Sequence, residues 1–217
     1  MKSPHEETHL LSESAAHFGI SLTAHQLELF HIYLKELWSW SRKFNLTGLD
    51  DRRRMVIELF LDSLVPSPFL PEEGTLLDVG SGAGFPGLPL KIHGPRRTTF
   101  LLEPNSKKVS FLRHVIRLTG VREVEPIKNR VESLPKEIQY DMVTARALAD
   151  LAKTLDCCAP MVKQGGLLVL YLGAKAEENL RTSERLVLDH SFRARKTIPY
   201  FLPGKKSERH TVILEKR

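Results

Sequence analysis

The chain has 217 residues, 32 of them Lys or Arg and 26 Asp or Glu, for a net charge of +6 and a pI near 9.4. That length accommodates one large α/β unit or one domain with an appendage, and the positive excess favours a polyanionic partner. No apolar run reaches the ~18 residues of a membrane span, the polar opening Met1–Thr8 is no signal peptide, and the adjacent Cys157 and Cys158 cannot form an ordinary staple, so a reducing, cytoplasmic home is expected.

Residues 6–65 read as helical. Gly19 is a natural stop, Thr23-x-x-Gln26 has the form of a capping box, and Leu27, Phe30, Leu34 and Leu37 follow at helical spacing. Trp38 and Trp40, near the end of that second helix, suit packing between helices. Asp51 can cap a third helix over 52–64, ended by Pro66-x-Pro68. From Thr75 the pattern alternates, with strands expected at 75–79, 98–102, 123–127, 140–145 and 166–172 and helices at 86–92, 105–118, 148–163 and 176–188. Asn105 is a natural N-cap and Gly120 a natural stop. Such alternation implies a doubly wound, mostly parallel sheet. Two consecutive strand-like runs, 195–201 and 209–215 around Pro203-Gly204-Lys205-Lys206, then predict an antiparallel hairpin on the sheet edge. The expected fold is therefore α/β with seven strands, and the expected division is a helical extension over 1–70 followed by the alternating α/β domain over 71–217.

The stretch Leu76-Leu77-Asp78-Val79-Gly80-Ser81-Gly82-Ala83-Gly84 reads as a buried strand ending in an acid and turning through alternate glycines. Glycine there lets backbone approach a ligand closely, and Pro86 suits the first turn of a following helix. Gly82, Gly84 and Gly87 have the literal dinucleotide spacing. Asp78-x-Gly80-x-Gly82-x-Gly84, however, resembles motif I of class I S-adenosylmethionine (SAM) methyltransferases. About 20 residues on, where such folds place the acid that accepts hydrogen bonds from a ribose, stands Glu103. NAD and SAM both carry that ribose, so Glu103 agrees with the fold without choosing the cofactor. The C-terminal hairpin favours the methyltransferases.

Further segments sharpen the resemblance. Trp40 to Thr47, Phe60-Leu61-Asp62-Ser63-Leu64, Leu77 to Pro89, Asn105 to Leu112, Asn129-Arg130-Val131-Glu132, Thr144-Ala145-Arg146-Ala147 and Arg209-His210 occur in that order. Together they resemble the bacterial ribosomal small-subunit methyltransferase G family, also called glucose-inhibited division protein B. The resemblance implies a class I, Rossmann-like enzyme that uses SAM to methylate N7 of one guanine in 16S ribosomal RNA, as naked RNA or within a small-subunit precursor. It implies cofactor contacts at Gly80, Phe85, Val131, Glu132 and Arg146, and in some members at the positions of Glu103, Pro104 and Asn105. Asp78 and Gly82 join that set from the loop itself. Glu103-Pro104 stands where relatives often have Asp-Ser or Asp-Ala.

The residues suit that chemistry. Guanine N7 offers a lone pair and loses no proton, so alignment is required and a general base is not. Carbon-5 transfer to a pyrimidine needs a poised cysteine, whereas Cys157 and Cys158 fall mid-helix, where buried structural thiols are expected. Exocyclic amines usually go with a [DNS]-P-P-[YFW] element after the fourth strand, where this chain has Thr144-Ala145-Arg146-Ala147. Arg146 is the catalytic candidate, for orientation and charge, with a salt bridge as the plainer alternative. RNA candidates are Asn45, Arg52, Arg53, Arg54, Lys107, Lys108, Lys175, Arg209 and His210. Asn45 rests on resemblance alone, beside a capping or turn role. The nine histidines show no metal-ligand spacing, so no metal is expected, and the enzyme is expected to be a monomer.

Overall fold

The structure is a computed structural model describing residues 5–146, 150–173 and 184–217. Two helices that pack on each other open the chain, α1 (His5–Ala16) and α2 (Ala24–Phe44). Gly19 takes φ 70° after α1, and Thr23 and Gln26 form both halves of the capping box. Asp51 caps the next helix by accepting from Arg54 N–H. That helix is continuous over 52–64, as α3 (Arg52–Met55), a π-helical stretch (Val56–Leu61) and α4 (Asp62–Leu64). A π turn inserts a residue and rotates everything after it out of 3.6-residue phase, which apolar spacing does not reveal.

The alternating region follows as β1 (Gly74–Val79), α5 (Gly87–His93), β2 (Arg97–Leu102), α6 (Ser106–Thr119), β3 (Val124–Ile127), β4 (Tyr140–Arg146), α7 (Leu151–Cys158), β5 (Val162–Leu172), α8 (Glu184–Asp189), β6 (Phe192–Tyr200) and β7 (Arg209–Lys216). Among the described residues these strands form one sheet in the order β3-β2-β1-β4-β5-β7-β6, with β7 antiparallel to both neighbours. Asn105 and Gly120 bound α6 as expected. Three limits differ from expectation, one being β6, which begins at Phe192, ahead of 195. α7 closes at Cys158 into a 3-10 turn, Ala159–Met161, and β5 begins at Val162. Only Glu184–Asp189 of the helix expected over 176–188 lies within the described residues.

Period-two alternation sorts the strand side chains. Leu76, Met142, Val169 and Ile213 face Leu90 of α5, while Leu77, Val143, Leu168 and Val212 face Leu155 and Cys158 of α7. The N-terminal helices do not keep a core of their own. Phe30, Tyr33, Leu34 and Phe60 share one apolar cluster with Phe85, Leu101, Phe111 and Leu112. Trp40 packs edge-on against Phe111 (5.6 Å), so the tryptophan is used between helices. Through this cluster the extension grips the loop after β1.

Candidate active site

Strand order reverses between β1 and β4, and in an open α/β sheet ligands bind in the crevice at the carboxyl ends beside that reversal. There the glycine loop leaves β1, with φ of 72° at Gly80, 60° at Gly82 and 103° at Gly84. The Gly80 and Ser81 N–H groups both donate to the Leu102 carbonyl at 2.9 Å, which ties the loop to the end of β2. The glycines serve different purposes. A Cβ on Gly84 would collide with the Tyr33 hydroxyl, and one on Gly87 would lie 2.6 Å from Asp78 Cβ. These two let protein pack on protein. A Cβ on Gly82 would meet only the Gly80 carbonyl oxygen and Lys108 Nζ, each at 3.9 Å. Beside Gly82 there is room for a ligand.

Asp78 stands behind the loop, fully buried. One oxygen accepts from Gly87 N–H (2.9 Å) and the other from the Thr144 hydroxyl (2.8 Å), so its carboxylate braces loop, α5 and β4. Burial pushes its carboxyl up against those hydrogen bonds. Glu103 stands in front, accepting from Gly82 N–H (2.9 Å) and Asn105 N–H (2.8 Å). Asn105 Oδ1 is occupied as the cap of α6, taking Lys107 and Lys108 N–H, and Pro104 is exposed beside it. After β3, Val131 is buried while Glu132 reaches solvent. Cys157 comes closer to this region than its mid-helix position suggests, with Sγ 3.9 Å from Glu132 Oε1 and only partial burial. Burial and the neighbouring acids Glu132 and Asp156 raise its thiol, and burial pushes Cys158 up to about 12, so neither is an activated nucleophile.

Phe85 is buried, stacked on Tyr33 at 5.2 Å, with the Arg146 guanidinium 5.5 Å from its ring centroid. Arg146 ends β4 at the crevice, where its Nη1 donates to the Glu58 carbonyl (3.3 Å) and lies 3.5 Å from Asp62 Oδ2. Asp62 is fully buried and also accepts from the Tyr200 hydroxyl (2.8 Å) and Arg209 Nη1 (2.9 Å). Burial pushes its carboxyl up against the pull of Arg209 and Arg146. One carboxylate thus joins the 52–64 helix, the end of β4 and the start of β7. In the sequence Asp62 stands only within a segment that carries the family resemblance, and nothing there assigns it a role. The available signal is an Asp flanked by Leu59-Phe60-Leu61 and by Leu64-Val65.

The RNA candidates separate. Arg52 pairs with Glu7 (2.9 Å), Arg53 with Glu6 (3.3 Å) and Arg54 with Glu58 (2.8 Å), so all three face acids of their own protein. Asn45 closes α2 in the left-handed region and its Oδ1 accepts from Gly48 N–H (3.0 Å), the turn role. Lys107 and Lys108 flank the loop from the first turn of α6. Arg209 is at the crevice through Asp62. His210 is 2% exposed in this structure, on β7 between Leu172 of β5 and Pro199 of β6. Lys175 and Ala147 lie outside the described residues. Among the described residues no group of three His, Cys, Asp or Glu is placed to hold a metal ion, and no helix is long and apolar enough to cross a membrane.

Comparison with known proteins adds three findings. A family model described as rRNA small subunit methyltransferase G matches residues 26–212. The ribosomal RNA small subunit methyltransferase G of Staphylococcus epidermidis is 34% identical over 212 residues, covering 95% of this chain and 89% of that protein, and that of Thermoanaerobacter sp. is 36% identical over 213 residues with the same coverage. Among solved structures, M. jannaschii TYW2 in complex with AdoMet superposes with a TM-score of 0.57 at 16% identity (71% of this chain, 73% of that one). The ribosomal protein L11 methylase of Lactobacillus delbrueckii subsp. bulgaricus gives 0.57 at 13% (74% and 79%), which is a likeness of fold.

Proposed function

Because the chain belongs to the rRNA small subunit methyltransferase G family, we propose that it transfers a methyl group from SAM to N7 of a guanine in 16S rRNA. The observation that carries the mechanism is the convergence of the Gly82 cradle, Glu103 and Arg146 on one crevice. These residues fit SAM. The space beside Gly82 is open, and Glu103 uses two of about four lone-pair sites on the Gly82 and Asn105 N–H groups, which leaves capacity for ribose hydroxyls. Glu132 and Val131 flank that end of the crevice, and Phe85 supports Arg146 from beneath. Bound SAM supplies a methyl group on a positively charged sulfur.

Guanine N7 presents a free lone pair, so the protein needs no base; it has to align the acceptor and keep water out. Arg146 spends Nη1 on Glu58 and Asp62, so its remaining N–H donors form the fork it offers to a carboxylate or to guanine O6 beside N7. Glu58 and Asp62 hold that fork still, which is what orientation catalysis requires. The excess of positive charge supports a polyanionic substrate, and two free thiols support the reducing cytoplasm. The test is incubation of labelled SAM with 16S RNA, with and without small-subunit proteins, followed by mapping of the label. Label at N7 of one guanine is expected. Label on a base carbon, on an exocyclic amine, or only on small metabolites would overturn the assignment.

A further inference from the structure

Four basic clusters look equivalent in the sequence, and the fold ranks them. Arg52, Arg53 and Arg54 are paired with Glu7, Glu6 and Glu58. Arg193, Arg195 and Lys196 lie along edge strand β6, away from its carboxyl end; Arg193 pairs with Glu215 (3.1 Å) and Lys196 lies over the Phe69 ring (4.1 Å). The other two clusters stand at the crevice end of the sheet. Lys107 follows β2 at the start of α6. The 201–208 loop joins the end of β6 to the start of β7, and His210 pairs with Leu172 at the end of β5, which places the loop at the carboxyl ends. In strand order Arg146, at the end of β4, lies between these two clusters.

Each of the two also carries an exposed aromatic ring. Phe44 is 45% exposed with Lys107 Nζ 5.6 Å from its centroid, and Phe201 is 55% exposed on the loop that bears exposed Lys206. Neighbouring Tyr200 and Leu202 turn inward to the core, so Phe201 is the ring the loop presents outward. The loop is held as a fixed wall. Lys205 reaches Glu58 (2.7 Å) and Arg209 reaches Asp62 (2.9 Å), the same two residues that hold Arg146. Two exposed rings thus stand at the carboxyl ends on either side of the crevice, Phe44 under Lys107 and Phe201 on the loop of Lys206. This is the arrangement that binds single-stranded RNA, with bases on the rings and phosphates on the lysines. The other exposed ring that meets a lysine, Phe69 (38% exposed) under Lys196, precedes β1 at the amino ends.

Resting on the RNA-methyltransferase reading, we propose that an unpaired segment of the substrate RNA lies across the carboxyl ends of the sheet between two posts, Phe44 with Lys107 and Phe201 with Lys206. The edge cluster of β6 stands outside this path, and the 52–54 arginines, though Arg54 shares Glu58 with Lys205, are already engaged by acids of the protein. The test measures affinity for a 16S RNA transcript, SAM affinity and melting temperature for Phe44→Ala, Phe201→Ala, Lys107→Glu, Lys206→Glu and, as an equal change of charge off the path, Arg195→Glu. Each aromatic variant is expected to lose about tenfold in RNA affinity and to keep that loss at high salt, the scale of one stacked base. Each of the two lysine variants is expected to reduce the salt slope by about one unit. Arg195→Glu should bind RNA like the wild type, and SAM affinity and melting temperature should not move in any variant. Wild-type affinity in folded Phe44→Ala and Phe201→Ala, or a loss in Arg195→Glu as large as in Lys206→Glu, overturns the path while methylation by the wild type stands. A wild-type protein that neither binds nor methylates the transcript instead overturns the substrate reading, and the path with it.

Discussion

Alanine at Gly82 and at Gly84 should fail for different reasons, and the contrast tests the cradle. Both positions have positive φ, so each alanine carries roughly 1–2 kcal/mol of backbone strain. At Gly82 that is the whole cost to the fold, because the added methyl meets nothing closer than 3.9 Å. At Gly84 the methyl would collide with the Tyr33 hydroxyl and lie 3.0 Å from Leu112 Cδ2, in the cluster that joins the helical extension to the loop. Overpacking adds about 1–3 kcal/mol, so the total reaches roughly 2–5 kcal/mol. Chemical denaturation should therefore rank Gly84→Ala well below Gly82→Ala in stability. Titration calorimetry with SAM should show the reverse sensitivity. Folded Gly82→Ala should lose ~10-fold or more in affinity, since its methyl enters the ligand's space at a cost of about 1–3 kcal/mol. Undiminished SAM affinity in folded Gly82→Ala would refute the cradle, and a fully stable Gly84→Ala would refute the packing argument.

Three other outcomes follow from the same geometry. Arg146→Ala should slow single-turnover methylation at saturating SAM and RNA by roughly 10²-fold, Arg146→Lys should rescue little, and the wild-type rate should show no basic limb near neutral pH; an unchanged rate in Arg146→Ala would make the arginine structural. Asp62→Asn, which leaves Arg146 and Arg209 facing a neutral amide, should lower stability by about 2 kcal/mol, given that both guanidinium groups still reach water. Its effect on rate should largely vanish in an Arg146→Ala background, and additive effects would show that Asp62 does not act through Arg146. Asp141 reports on acid stability: burial pushes its carboxyl up, but hydrogen bonds from Lys163 and from Thr75 outweigh this and bring it down to about 2. A depressed carboxyl stabilises the fold above the ordinary carboxylate range and loses that contribution as pH falls toward 2. Asp141→Asn should melt lower at neutral pH and lose less on acidification, and parallel melting curves against pH would count against this pairing.

The sequence by itself determined the elements and the chemistry class. Thr23 with Gln26, Asp51, Asn105 and Gly120 mark helix limits because caps are local, and period-two alternation in β1, β4 and β5 decides which side chains face α5 and which face α7. The glycine loop with Glu103 indicated a nucleotide cradle for the same reason, since backbone freedom and ribose geometry operate within one βαβ unit. Tertiary structure alone decided which polar residues meet. Asp62 and Arg209 are 147 residues apart and become partners only where the 52–64 helix packs against the start of β7, and no local period encodes such an encounter. The same holds for charge. Arg52, Arg53 and Arg54 look like an RNA patch until Glu7, Glu6 and Glu58 fold against them, whereas Lys107 and Lys206 gain importance from the ends of strands they stand beside. A run of basic residues records how much charge is present. Where that charge points, and whether an acid already answers it, depends on how distant segments pack.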